Sequence, residues 1–279
     1  MALEPTSVQR DRMLSFGKTK LTLVQFLVSK DPVGAIEHLN KSSQAVFQEG
    51  GQRQYQLRID QVLAGGNLPY QYLTVDSFPS SQALLLAHEN TRSIRGSALT
   101  EIYGIYFRTT SRAKKIMKGM GVLSPTLSRW LGTQQIRNIP DQPEQLDPET
   151  DPALYAVQDF AARDPETPFY MMNLNRFSSP SRTRVAGKSA YQRYSARILP
   201  YLISVGGSPD IYASILGTYI GDQNSNLHNR WDDFALVYYP SRNSFLRLLT
   251  NTPKKAAEIR RAGLEKVVLM SCISDFQAR

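Results

Sequence analysis

Cysteine is almost absent from this 279-residue chain, where Cys272 stands alone. A single thiol forms no internal disulfide and builds no cysteine-based zinc motif. Histidine is nearly as scarce: His38, His88 and His228 are the whole set. No HxH or HExxH spacing joins them, so no metal site is expected. Nothing selects one of the three for haem either. Long apolar runs are missing, and no stretch approaches the roughly 18 residues a membrane-spanning helix needs. A glycine-rich phosphate loop and a nucleophile elbow are also lacking, and Gly65-Gly66 and Gly206-Gly207 read as turn glycines. Residues 1–20 have no apolar signal core, and Glu4 and Asp11 argue against a transit peptide. They read as a flexible tail, and the expected location is cytoplasmic. No cofactor is expected.

What is present is basic charge, unevenly spread. The formal net charge is +9. Residues 111–140 hold six basic and no acidic groups, whereas residues 141–168 hold one basic and eight acidic. Such blocks usually lie in solvent, and here they can partly neutralise each other. Within 111–131, Arg112, Lys114, Lys115 and Lys118 are mixed with Ile116, Met117, Met120, Val122 and Trp130. That mixture suits an amphipathic surface segment for anionic lipid or RNA, or an interdomain helix and loop. Gly119, Gly121 and Pro125 interrupt its helical period. Further on, Pro143, Pro148 and Pro152 forbid one continuous helix. A short helix can still open at Pro152, with Leu154, Val157 and Phe160 on one face. Residues 111–167 therefore read as a connecting segment. The composition, 41% hydrophobic and 20% charged, is ordinary for a folded protein, and the length fits one large domain or two small ones.

The stretches on either side of the connection share one order of elements. Before it, the pattern predicts strand Leu21–Ser29, helix Pro32–Glu49 and Gly50-Gly51. Strands Tyr55–Leu63 and Tyr70–Phe78 follow, then a helix opened by Ser80 or Ser81, and strand Glu101–Arg108. After the connection it predicts strand Phe169–Phe177, helix Lys188–Val205 closed by Gly206-Gly207, and strands Asp210–Tyr219 and Trp231–Tyr239. A helix capped by Ser241, a further helical stretch and strand Leu264–Ile273 complete it. Each half is then β-α-β-β-α-β, the ferredoxin-like order. A sheet of this kind buries one face under its helices and leaves the other open. Two units in one chain can cover each other. The expected fold is α+β: two tandem ferredoxin-like units, 21–110 and 168–275, packed sheet to sheet as an intramolecular dimeric α/β barrel. The space between the sheets is the expected pocket. Fused halves do not forbid a homo-oligomer.

The second half carries a recognisable set of residues. Asn173-Leu174-Asn175-Arg176-Phe177 closes its first strand, Pro200 lies within its helix and Gly206-Gly207 follows. Trp231-Asp232 then precedes Tyr239-Pro240-Ser241. In these residues, across roughly 165–275, the chain resembles a bacterial dimeric α/β-barrel family, the domain of unknown function numbered thirteen-thirty. The first half resembles it in layout only, with Gln25 where Asn173 would fall and no Trp-Asp pair. The resemblance implies the barrel fold and a ligand site supplied mostly by the second half. The wider superfamily includes cofactor-free monooxygenases, muconolactone isomerases, dehydratases and chlorite dismutase-like haem proteins, so it does not fix the chemistry.

Strand Phe169–Phe177 alternates between two faces. Tyr170, Met172, Leu174 and Arg176 are expected under the helices. Phe169, Met171, Asn173, Asn175 and Phe177 are expected to wall the pocket. Asn173 can hold a carbonyl or enolate-like oxygen, or simply tie neighbouring backbone together. Asp232 and Asp233 face opposite sides, and the doublet reads as a general base or as strand-start capping with a salt bridge. Tyr191 and Tyr194 share the helix's apolar face, as an acid, a hydrogen-bond handle or core. Asn173, Asn175, Tyr194, Trp231 and Asp233 are the candidate ligand-binding residues. The expected function is binding of a small organic molecule, with a cofactor-independent isomerase, lyase or monooxygenase as its enzymatic form. The alternative is a non-enzymatic protein that docks on a partner, membrane surface or RNA through 111–131. Ser181–Arg197 sets Arg182, Arg184, Lys188, Arg193 and Arg197 beside two tyrosines, but it lacks the RNP aromatic pattern of a nucleic-acid motif.

Overall fold

A computed structural model describes residues 3–109, 147, 149–178, 187–228 and 230–274. The basic stretch 111–131, Arg182 and Arg184 lie outside the described residues. Helix α1 (Ser7–Leu14) opens the fold, followed by β1 (Leu21–Ser29) and α2 (Pro32–Gln48). Asp31 caps α2 by accepting the Gly34 N–H at 2.7 Å, with Pro32 in the first turn. The chain turns at Gly50 (φ 70°), and a Cβ on Gly51 would meet the Ser77 carbonyl oxygen at 2.6 Å. β2 (Gln52–Ala64), β3 (Tyr72–Phe78), α3 (Ser81–Asn90), α4 (Arg92–Ala98) and β4 (Leu99–Arg108) complete the first half. The connection contributes α5 (Leu154–Ala162). The second half runs β5 (Phe169–Phe177), α6 (Gly187–Ser204), β6 (Ser208–Ser214), β7 (Gly217–Ile220) and β8 (Asp233–Tyr239). It ends with α7 (Arg242–Asn251), α8 (Lys254–Gly263) and β9 (Leu264–Ile273).

The strands form one sheet in the order β6-β8-β5-β9-β2-β3-β1-β4-β7. The second strand of each half belongs to both halves. Residues Gln52–Arg58 of β2 pair with β3, and residues from Arg58 to Ala64 pair with β9 of the other half. In the second half β6 pairs with β8, while β7 pairs with β4. β6 and β7 are successive stretches broken at Ile215 and Leu216, so the strand expected over Asp210–Tyr219 is split. The two ends of the strand order are thus neighbours in the chain, and the sheet closes on itself. This is the two-unit α+β barrel expected from the sequence.

The barrel interior is filled. Val24, Phe26, Leu73 and Ile105 from the first half meet Met172, Leu174, Leu236 and Met270 from the second, all 0% exposed. Phe107 and Phe234 stack across the join with ring centroids 5.8 Å apart. Close packing occupies the space where the sequence reading placed a pocket. The faces of β5 are also the reverse of that reading. Tyr170, Met172 and Leu174 point into the barrel, whereas Phe169, Met171 and Phe177 lie under the helices with Phe160 and Phe245. Both faces of β5 are covered, so alternation alone could not say which was inner.

Of the stretch expected as a flexible tail, residues 3–20 are described and include helix α1. Thr6 and Gln9 make a reciprocal capping box at the start of α1. Met13 is 0% exposed, and Leu3, Leu14 and Phe16 pack on the first-half core. Gln9 and Arg12 donate to the carbonyls of Gly221 (2.7 Å) and Leu216 (2.9 Å), which ties the segment to the second half. Two residues of the acidic block are paired from the second half: Asp151 accepts Arg260 and Arg261, and Glu149 pairs with Lys266.

Candidate functional site

The pairing of β5 with β8 sets Asn175 opposite Asp233. The pairing of β6 with β8 sets Ser214 opposite Asp233 and Tyr212 opposite Ala235. Tyr212 is therefore the diagonal neighbour of Asp233 on the helix-facing side of the sheet. Helix α6 lays Tyr191 over the same spot. Asn175 Nδ2 donates to Asp233 Oδ1 at 2.7 Å and to the Tyr191 hydroxyl at 3.1 Å. The Tyr212 hydroxyl donates to Asp233 Oδ2 at 2.8 Å. Asn175 and Asp233 are each 1% exposed. Asn175 Oδ1 is buried without a hydrogen-bond partner among the described residues.

Burial pushes the Asp233 carboxyl up to about 6, and the hydrogen bonds from Asn175 and Tyr212 only partly oppose it. Burial raises the phenols of Tyr191 and Tyr212 as well, and the nearby Asp233 charge adds to it. Both tyrosines stay protonated wherever Asp233 ionises. The arrangement joins one carboxyl that changes charge near pH 6 to phenol donors and an amide. Such a group can move a proton at carbon beside a carbonyl and hydrogen-bond the oxygen that gains charge.

The aspartate doublet divides its work. Asp232 Oδ2 accepts the Phe177 N–H at 2.8 Å, and its own N–H donates to the Asn175 carbonyl at 2.8 Å. Asp232 is the strand-start cap, and Asp233 is the buried carboxyl. Asn173 lies one pleat along from Asn175, half-buried, and its Nδ2 donates to the Met171 carbonyl at 3.1 Å. Tyr194 is half-buried beside Tyr191, with ring centroids 5.6 Å apart. Trp231 is not part of the group. It is 6% exposed in the barrel-interior cluster on the other face, and its indole N–H donates to the Leu227 carbonyl at 3.0 Å.

Sequence reasoning did not single out Tyr212, and it left Tyr191 off the candidate set. A signal for Tyr212 existed, since Asp210, Tyr212 and Ser214 alternate along an expected strand. The first half has no counterpart of the group: Leu27 and Tyr72 pair at the positions of Asn175 and Asp233. At one end of the barrel interior the half-buried Tyr55 donates to Asp210 at 2.8 Å and packs on Tyr170. Among the described residues, no cluster of three or more His, Cys, Asp or Glu could hold a metal ion. His38 and His88 are buried in the first half, and His228 is exposed. No helix among the described residues is long and apolar enough to cross a membrane.

The crossed strand pairings define the class, a two-unit barrel of the dimeric α/β type. No protein-family model and no curated protein matches the chain. Among solved structures, a protein of unknown function from Rhodopseudomonas palustris is 25% identical over 46% of this chain and 98% of its own, with a TM-score of 0.40. Chlorite dismutase from Candidatus Nitrospira defluvii, in complex with imidazole, is 10% identical over 94% of both chains, with a TM-score of 0.47. A candidate monooxygenase from Lactobacillus acidophilus is 10% identical over 92% of this chain and 95% of its own, with a TM-score of 0.45. The fold assignment rests on the strand pairings themselves, and the chemistry on the residues.

Proposed function

We propose that this chain binds a small organic molecule bearing a carbonyl or phenolic oxygen at the Asp233 group, and exchanges a proton with it. One observation carries the reading. Asp233 is 1% exposed and has no ion pair among the described residues. Asp76 and Asp151, also buried, are paired with Arg53 and Arg260, whereas buried Glu101 is held, like Asp233, by neutral groups, Tyr70 and Asn226. Asp233 differs in lying beside an amide oxygen, Asn175 Oδ1, that has no partner among the described residues. A buried carboxylate without an ion pair costs stability, and groups of that kind cluster at functional sites. Asp233 then serves as the base and returns the proton as the acid. Tyr191 and Tyr212 steady the ligand oxygen, and Asn175 Oδ1 accepts a ligand hydroxyl. Asn173 and Tyr194, both half-buried, flank the group.

The site falls within 168–275, with 21–110 as the unit that closes the barrel without its own copy of the group. The second half's kinship with the thirteen-thirty domain family is part of the same proposal. The test equilibrates the full chain with a mixture of small keto acids, hydroxy acids and phenols, then identifies what stays bound by mass spectrometry. The wild-type chain retains a defined compound. Asp233→Asn and Asn175→Leu weaken its binding at least about tenfold, or about 1.4 kcal/mol, and Trp231→Phe leaves it unchanged. An empty wild-type chain, or full retention by Asp233→Asn, contradicts the reading.

A further inference from the structure

A second polar group lies in the first half, on the helix side of the sheet, and does not touch the Asp233 site. A cavity of about 20 Å³, room for about one water, lies among β1, β3, α2, α3 and α4. His38, His88 and Arg95 line it together with Leu84 and Ala87. Arg95 is 1% exposed and His38 2%. Arg95 Nε and His38 Nδ1 are buried without hydrogen-bond partners among the described residues. Glu4, from the stretch ahead of α1, is not a lining residue but binds two that are, Arg95 and His88. Its Oε1 accepts Arg95 at 2.5 Å, and its Oε2 lies 3.2 Å from His88 Nε2. Arg92 stands 3.5 Å from Glu4, and the Glu4 side chain is 38% exposed. Apart from Glu4, the Arg95 guanidinium has the His88 carbonyl at 2.8 Å and the Thr91 hydroxyl at 3.1 Å.

We infer that this pocket is a binding site for a free short-chain monocarboxylate, whose head group takes the place of the Glu4 carboxylate on Arg95 and His88. The planar guanidinium and its fork of N–H donors match a carboxylate. Asp76 also lines the cavity, but Arg53 matches its charge, which leaves Arg95 as the buried cation for a single negative charge, whereas a phosphate dianion would leave one charge uncompensated. The free volume, about that of one water, and the Leu84 and Ala87 wall admit a tail of one carbon. His38 Nδ1 and Arg95 Nε are unspent polar atoms, available to a second oxygen or to a water that follows the ligand in. Glu4 is a tethered competitor. A short tether holds it at an effective concentration of order millimolar, which a free ligand must exceed. Displacing Glu4 frees the end of a segment that also grips Gly221 and Leu216 of the second half.

The test titrates sodium acetate into the full chain, at ionic strength fixed with chloride, and follows the His88 ring by NMR. Glu4→Gln binds acetate saturably and at least about tenfold more tightly than the wild-type chain. Arg95→Lys in the Glu4→Gln background weakens that binding by a similar factor, and benzoate does not bind. A folded Glu4→Gln chain with no saturable response overturns the inference. So does equal acetate affinity in both chains, or an equal response to chloride. Should Glu4→Gln fail to fold, the wild-type chain decides: a saturating His88 shift at high acetate supports the site, and a drift matching chloride's overturns it.

Discussion

Asp233 and Glu4 are both carboxylic acids, and their surroundings drive them in opposite directions. Burial takes Asp233 from 3.8 up to about 6; hydrogen bonds from Asn175 and Tyr212 oppose that rise, and the nearby charges act in opposite senses, Asp232 raising it and Lys188 lowering it. The native state therefore holds its proton longer than the unfolded chain does. Stability falls as pH rises from about 4 to about 6, by up to about 3 kcal/mol, and the loss persists above that range. Asp233→Asn should abolish this slope in melting curves taken between pH 4 and pH 8. A variant that keeps the wild-type slope would remove Asp233 as its source. Burial also pushes Glu4 up, but hydrogen bonds from His88 and Arg95 outweigh it and bring the group from 4.5 down to about 2. Its stabilisation is present above pH 4.5 and is lost as pH falls towards 2. Because Glu4 is partly exposed, salt should weaken that acid limb, and Glu4→Gln should remove it. A strand pattern placed Asn175 and Asp233 near strand ends, but it put Asn175 on the wall of a pocket between the sheets, whereas Asn175 lies on the helix side against Tyr191. Tyr212 was less legible in the sequence, since its place beside Asp233 depends on a bulge between Pro209 and Ile211. The Glu4–Arg95 pair is 91 residues apart in sequence, beyond any local pattern.

At the scale of elements, periodicity and punctuation marked most of the boundaries. β5 and β9 match the expected Phe169–Phe177 and Leu264–Ile273, because each is a short, largely apolar run bounded by helices or turn signals. Ser241 caps α7 through the Ser244 N–H at 3.1 Å, as its position after Tyr239-Pro240 implied. The short helix of the connection begins at Leu154, two residues past Pro152, with no side-chain cap, and Asp151 accepts Arg260 and Arg261. What holds α5 is Phe160. It is 0% exposed, packs on Phe169 and Phe245, and carries the Arg242 guanidinium 5.4 Å from its ring centre. Phe160→Ala should cost about 3–5 kcal/mol, the range for emptying an aromatic site in a core. Ser241→Ala should cost about 1 kcal/mol, the value of one lost cap. Denaturant unfolding of both variants checks the ranking, and a costlier cap than ring would show that α5 is not seated by Phe160.

The whole molecule is one closed sheet rather than two units side by side. β2 lends its second part to β9, and β7 lends itself to β4, so each half completes the other. Asp60 of β2 binds Arg242 at 2.9 Å and Arg163 at 3.0 Å, and Gln9 and Arg12 hold the other seam. The tandem layout was legible because both halves repeat the same order of turns. The crossing of the second strands was not, since it depends on which half each end pairs with. A shared core predicts one cooperative transition. Unfolding of a Trp130→Phe chain followed by Trp231 fluorescence and by far-ultraviolet circular dichroism should coincide, and two separated transitions would show halves that fold alone. The account turns on a buried aspartic acid that changes charge near neutral pH. The measurement that tests it most directly is an NMR titration of the full chain labelled with carbon-13 at the aspartate carboxyls, with Asp233→Asn assigning the signal. A midpoint near pH 6 for Asp233 is the predicted result. A midpoint at or below its ordinary 3.8 would show a carboxylate settled by its hydrogen bonds, and would contradict a proton-exchanging site.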